Sequence, residues 1–191
     1  MYYVLERFGA LHPCRWVDDY PYIEDVDFTM GARITTPFET PLEFPLKRLN
    51  PDSSDHGPEI PEYLKGEIPL FRADLIEAMS SAGVDNLELY DAVIIDPQTG
   101  ERYTTHKAVN IIGVVAAADL GKSDATVHPG GAVIDVDFDR LVLDDRLAVD
   151  ALIFRLAEST NAILVHDKLR DHLIASGFTN LEFLDPEDVA L

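Results

Sequence analysis

The segment "AAADLGKS" (Ala116–Ser123) follows the apolar run "AVNIIGVV" and ends in the Gly-Lys-Ser triplet of phosphate-binding loops. Such a loop works because its backbone N–H groups curl around phosphate and a helix starts at the Lys-Ser pair. Here the chain continues "DATVHPGGAVIDVDF". Asp124, Pro129, Gly130 and Gly131 forbid the crossover of about a dozen residues that a parallel strand would need. Asp119 would also put a negative charge inside the loop. The residues predict a strand and a surface turn, not a nucleotide site.

The stretch "DVDFD" offers a different chemistry, because hard cations favour clustered carboxylates. A calcium loop beginning at Asp135 would need glycine at its sixth position and glutamate at its twelfth; Arg140 and Arg146 stand there. Ile134, Val136 and Phe138 alternate with Asp135, Asp137 and Asp139, which predicts a strand with its aspartates on the wet face. A metal-dependent hydrolase using Asp135, Asp137 and Asp139 is the competing reading.

The histidines (His12, His56, His106, His128, His166, His172) include no pair spaced to share one helix face. His12 lies near Cys14 in "HPCRW", but neighbours in sequence do not supply the base geometry a nucleophile needs. Ser80 and Ser81 fall within a predicted helix and carry no elbow motif around them. No catalytic carrier emerges, and no cofactor or metal is expected.

"VDDYPYIEDVDF" (Val17–Phe28) carries recognition chemistry instead. Asp18, Asp19, Glu24, Asp25 and Asp27 interleave with Tyr20, Tyr22 and Phe28. Tyrosines give large contact area at low entropy cost, and the acids would select a basic partner. The competing role for the tyrosines is to pin an N-terminal arm onto the body. The partner-binding candidates are Asp18, Asp19, Tyr20, Tyr22, Glu24, Asp25 and Asp27.

These residues need elements to position them. Residues 1–66 read as a Pro-rich arm and loop packed on the body, and 67–191 as the body of a single domain. "NPDSSDHGPEIPEY" is punctuated as an exposed loop. In "FRADLIEAMSSAG", Phe71, Leu75, Ile76 and Met79 sit at helical spacing, with Gly83 placed as a left-handed stop. "LELYDAVIIDPQTGERYTTHKAVNIIGVV" predicts two strands joined through "DPQTG". "IFRLAES" and "AILV" predict a short strand pair, "DKLRDHLIASG" a second helix and "LEFL" a last strand. "DLIEAMSSAGVDNLELYD" and "KLRDHLIASGFTNLEFLD" align without a gap, which duplication or convergence on one helix-to-strand junction would each explain. The predicted class is α+β, a mostly antiparallel sheet with a few packed helices around a single core.

Composition bounds the function. The chain has 191 residues, of which 47% are hydrophobic, enough for one core. Asp and Glu number 35 against 15 Lys and Arg, and the formal charge of −20 is spread over every third of the chain. That field repels a phosphate backbone and draws a basic protein, so no nucleic acid is expected as a direct partner. With Cys14 the one cysteine, no internal disulfide can form. The start lacks an export signal, and no apolar run approaches the roughly 20 residues of a membrane span, so a cytoplasmic location and no membrane are expected.

Several segments resemble the immunity-protein 11 family. They are "LFRADLIEAMSSAGVDNLELYDAVIIDPQTGERY", "AVNIIGVVAAADLGKS", "IDVDFDRLVLDD", "IFRLAES" and "AILVHDKLRDHLIASGFTNLEF", together spanning about Ile68 to Pro186. In that family the Gly-Lys-Ser stretch looks like a strand, an Asp and a downstream Ser, matched here by Asp119 and Ser123. The resemblance implies an immunity protein of a polymorphic toxin system, which binds and neutralises a toxin encoded beside it. It carries no catalytic residue over. Stoichiometric occlusion of a cognate protein toxin with a basic surface is the expected role, and a general protein-interaction module is a further alternative.

Overall fold

The computed structural model describes residues 1–6, 14–49, 59–128, 135–144 and 150–191. The two segments that echo one another fold alike. β1 (Tyr2–Glu6), β2 (Leu42–Pro45) and β3 (Tyr63–Leu64) precede β4 (Leu70–Arg72), which runs straight into α1 (Ala73–Ser81) and then β5 (Leu87–Ile95). β6 (Arg102–Tyr103), β7 (His106–Ile111), β8 (Val114–Val115), β9 (Asp124–His128) and β10 (Asp135–Arg140) follow. β11 (Ile153–Leu156) and β12 (Ile163–His166) lead into α2 (Asp167–Ala175), then β13 (Glu182–Leu184) and a 3-10 turn at Pro186–Asp188. The molecule is α+β and mostly antiparallel.

Both helices are short, nine residues each, and are held by packing rather than by length. α1 buries Leu75 and Met79, and α2 buries Leu169 and Leu173, in each case one turn apart on one face. Their N-caps, Arg72 and His166, have the same extended backbone (φ −67, ψ 147 and φ −67, ψ 146). Each helix stops at a left-handed glycine, Gly83 at φ 99 and Gly177 at φ 95. There the next amide folds back on the last turn, Val84 N–H to the Met79 carbonyl (3.0 Å) and Phe178 N–H to the Leu173 carbonyl (3.1 Å).

The likeness extends to the sheets. One contains β3-β4-β7-β5 in that spatial order and the other β11-β12-β1-β13, with every adjacent pair in both antiparallel. Each helix therefore crosses over a central strand to rejoin its own sheet. Ala108 on β7 lies between Leu70 and Tyr90; Val4 on β1 lies between Leu164 and Leu184. Glu88 faces Asn110 as Glu182 faces Glu6. The registers agree on both sides of the central strand, so the match is one of fold and not of a helix-to-strand junction alone. β1, at the start of the segment read as an arm, is thus an interior strand of a sheet, paired on both edges.

Inner faces of both sheets close on both helices in one core. Phe71, Leu75, Met79, Val84 and Val109 meet their counterparts Val165, Leu169, Leu173, Phe178 and Leu5 in it. The outer faces are covered differently. Over the first sheet lies the N-terminal segment, which contributes Val17, Phe28, Phe44 and Leu46, and β2 joins β5 in parallel. Over the second lies the β9–β10 ribbon, with Val136, Phe138 and Leu141 turned inward. The repeat supplies the scaffold, and the two covers make the molecule asymmetric. Among the described residues, no helix is long and apolar enough to cross a membrane.

Candidate functional site

The Asp18–Asp27 strip lies in the first cover, and the structure sorts its residues by direction. Val17 is bridged to Leu46 and buried, and Phe28 is 3% exposed, stacked edge-on against Tyr90 with ring centroids 5.6 Å apart. Between these anchors Asp18, Asp19, Tyr22, Glu24, Asp25 and Asp27 are exposed, while Tyr20, Ile23 and Val26 are half-buried. The alternation of aromatic and acidic residues in the sequence has become an inward apolar edge and an outward acidic one.

The two tyrosines part company. Tyr20 donates its hydroxyl to the Lys65 carbonyl (3.0 Å), and its ring meets Phe44 edge-on. Burial, and then the nearby Glu67 carboxylate, push its ionisation above the usual tyrosine range. Gly66 makes room for it. Tyr22 is 90% exposed. The pinning role considered for both tyrosines thus falls to Tyr20, and Tyr22 is left to the solvent face.

Local bonding fixes the strip. Asp25 adopts φ 57, the left-handed region that few residues other than glycine enter. The Val26 amide donates to the Ile23 carbonyl at 3.2 Å. Asp27 Oδ1 accepts from the Thr29 amide and the Thr29 hydroxyl, both at 2.7 Å. Farther along, Glu88 accepts from the Ile34 amide, Asn110 Nδ2 and the Tyr90 hydroxyl, tying the cover to β5 and β7. Burial pushes the Glu88 carboxyl up, but these hydrogen bonds and Arg33 outweigh it and hold the pKa low.

Behind the strip is a cavity of about 420 Å³. Tyr20, Tyr22, Ile23 and Asp27 line one side, Glu67 and Ile68 from the β3–β4 turn another, and Asn161 from the β11–β12 turn a third. Sequence reasoning missed Glu67 and Asn161, because nothing local marks a turn as facing a distant cover.

The remaining candidates take structural roles. The Gly-Lys-Ser stretch runs into β9 with no helix, as its following residues predict. Asp119 occupies the loop itself: Oδ1 accepts from the Gly121 amide (3.2 Å), Oδ2 pairs with Lys122 Nζ (3.1 Å), and the Ser123 hydroxyl donates to the Asp119 carbonyl (2.8 Å). The lysine hydrogen bond holds the Asp119 carboxyl below its ordinary range. A phosphate would meet a carboxylate there.

On β10, Val136 and Phe138 are buried and Asp137 and Asp139 exposed, the alternation expected of a half-wet strand. The side chain of Asp135 lies outside the described residues, as do His12 and His56. Asp137 Oδ2 is 2.7 Å from His128 Nε2. Among the described residues, no group of three or more His, Cys, Asp or Glu side chains could hold a metal ion. His106 is buried, its ring nitrogens 2.9 Å from the Thr105 hydroxyl and from the Pro61 carbonyl, and burial lowers its pKa. His166 caps α2, and His172 Nε2 is 2.9 Å from the Ser81 hydroxyl, which donates to the Ala78 carbonyl. A hydroxyl already donating to backbone is not one that the histidine activates.

Fold and site together define an acidic α+β protein whose internally repeated core carries two unrelated covers, one of them bearing an exposed acidic strip. No protein-family model matches the chain, and no curated protein matches it.

Proposed function

We propose that this protein is an immunity protein that neutralises a toxin encoded by a neighbouring gene, by stoichiometric occlusion of a basic toxin surface. The observation that carries the reading is the Asp18–Asp27 strip, where Asp18, Asp19, Glu24, Asp25 and Asp27 are exposed along with Tyr22. Val17, Tyr20 and Phe28 hold the strip to the core from beneath. A pre-ordered surface loses little entropy on binding, and tyrosine is among the residue types enriched in interface hot spots. The formal charge of −20 supports the same reading, since it speeds encounter with a basic protein. A toxin acting on nucleic acid has such a basic surface, and an acidic protein laid over it competes with the substrate.

The test is growth protection. The neighbouring gene product, expressed alone, arrests growth, and co-expression of this protein restores it. Growth arrest that persists despite co-expression and confirmed folding contradicts the reading.

A further inference from the structure

The cavity behind the acidic strip has the chemistry of a receptor for one side chain. Its walls combine apolar and aromatic surface (Tyr22, Ile23, Val26, Phe28, Ile68) with two carboxylates, Asp27 and Glu67, and one amide, Asn161. Among the described residues, no lysine or arginine lines it. Asp27 is fixed through Oδ1 by the two bonds from Thr29, and its Oδ2 accepts no hydrogen bond among the described residues. Glu67, which reaches the same cavity from the β3–β4 turn, makes no hydrogen bond or ion pair among them either. Buried Arg155, within electrostatic reach of Asp27, donates Nη1 to the Thr160 carbonyl at 2.6 Å, beside Asn161. It offsets one of the two carboxylates and leaves the described lining net negative.

We propose that this cavity receives a single arginine side chain of the partner protein, its stem along Ile23, Val26 and Ile68 and its guanidinium between Asp27 and Glu67. The inference rests on the reading of the strip as a toxin-binding surface and names the contact at its centre. A long side chain with an apolar stem and a charged head suits walls of this composition. The guanidinium is planar, offers several donors, and stacks on an aromatic face, which Tyr22 supplies at the rim. At about 420 Å³ the cavity has room for one such side chain. Lysine brings three donors at one point; arginine brings five in a planar fork, enough for both carboxylates and the Asn161 carbonyl oxygen.

The experiment has two arms, both on the full chain. In the first, N-acetyl-arginine amide is titrated at low salt while backbone amide resonances are followed. Saturable shifts confined to Tyr22–Thr29, Glu67, Ile68 and Asn161 are expected. The same titration with the uncharged isostere N-acetyl-citrulline amide is expected to give none. Glu67→Gln, which breaks no hydrogen bond or ion pair among the described residues, should weaken arginine binding about tenfold or more. Shifts that spread over the acidic surface without saturating, or equal binding by Glu67→Gln, overturn the proposal. In the second arm the neighbouring toxin is titrated with the wild type, with Glu67→Gln and with Glu77→Gln, whose carboxylate sits on exposed α1 surface. A loss of tenfold or more for Glu67→Gln alone supports the cavity. Unchanged toxin affinity in Glu67→Gln, with wild-type binding intact, overturns the cavity and leaves the immunity reading standing. Arginine binding without any toxin binding does the reverse.

Discussion

A Cβ added to Gly66 would lie 1.8 Å from the hydroxyl oxygen of Tyr20, so the two residues occupy one space and only glycine permits the tyrosine to seat. That contact is where the acidic cover is fastened to the β3–β4 turn. It separates Tyr20, which holds the strip, from Tyr22, which faces solvent.

Tyr20 and Tyr22 should therefore respond differently to the same substitution. Tyr20→Phe loses one hydrogen bond to the Lys65 carbonyl and is expected to cost about 1 kcal/mol. Tyr20→Ala is expected to cost about 3–5 kcal/mol by analogy with large core truncations, toward the lower end because the ring is only half-buried. Tyr22→Ala should leave stability within about 0.5 kcal/mol, yet weaken toxin binding. Gly66→Ala should destabilise as a tyrosine substitution does. Denaturant unfolding of the four variants, paired with toxin titration, checks the split; equal stability losses for Tyr20→Ala and Tyr22→Ala would contradict it.

Leu75 and Leu169 hold equivalent places on α1 and α2 in the shared core, each 0% exposed. Replacing either with Ala should cost about 2–5 kcal/mol, with the two values close to one another. Because both side chains border one core, the double variant should depart from additivity. A large loss at one position and none at the other would mean that the two units do not bear the core equally.

Arg15 and Asp96 form a buried ion pair at 3.1 Å, with side chains 6% and 7% exposed, which fastens the start of the first cover to the end of β5. The hydrogen bond from Arg15, then that from the Gln98 amide, holds the Asp96 carboxyl below its ordinary range. Asp96→Ala strands the guanidinium and should cost about 3–5 kcal/mol. With a depressed folded pKa, the carboxylate's stabilisation is complete above the ordinary value of about 3.9 and is lost as pH falls through the folded one. Acid unfolding monitored below about pH 4 should be less steep in Asp96→Asn than in the wild type.

His106 gives a second pH dependence at higher values. Burial lowers its pKa, outweighing the hydrogen bond to the Pro61 carbonyl. The unfolded chain therefore binds the proton first, so stability falls as pH drops below about 6.5 and continues to fall until the depressed folded value is reached. His106→Gln should flatten the stability profile between about pH 7 and 5, relative to wild type. An unchanged slope would show that the ring is not held neutral by its surroundings.

Much of the scaffold was legible in the sequence, and the reason is local. Leu75, Met79, Leu169 and Leu173 repeat at helical spacing, and Gly83 and Gly177 terminate their helices, so each helix carries its own boundaries. The match of "SSAGVDNLELYD" with "IASGFTNLEFLD" exposed the repeat as far as sequence likeness reaches. It could not show that β1 and β7 are equivalent interior strands: in register, "YYVLE" and "HKAVN" share two buried apolar positions, Val4 with Ala108 and Leu5 with Val109, but no residue. A central strand is chosen by long-range pairing, and its neighbours lie far along the chain. The site was legible to the same degree. The alternation of acids and aromatics marked the strip, but the fate of each tyrosine was decided by Gly66, which no pattern around Tyr20 could indicate.

The central claim is tested most directly by calorimetric titration of this protein with its neighbouring gene product at low and moderate salt. Tight one-to-one binding that weakens as salt rises is predicted, because an acidic surface meets a basic one. Absence of binding, or an affinity indifferent to salt, would contradict the account.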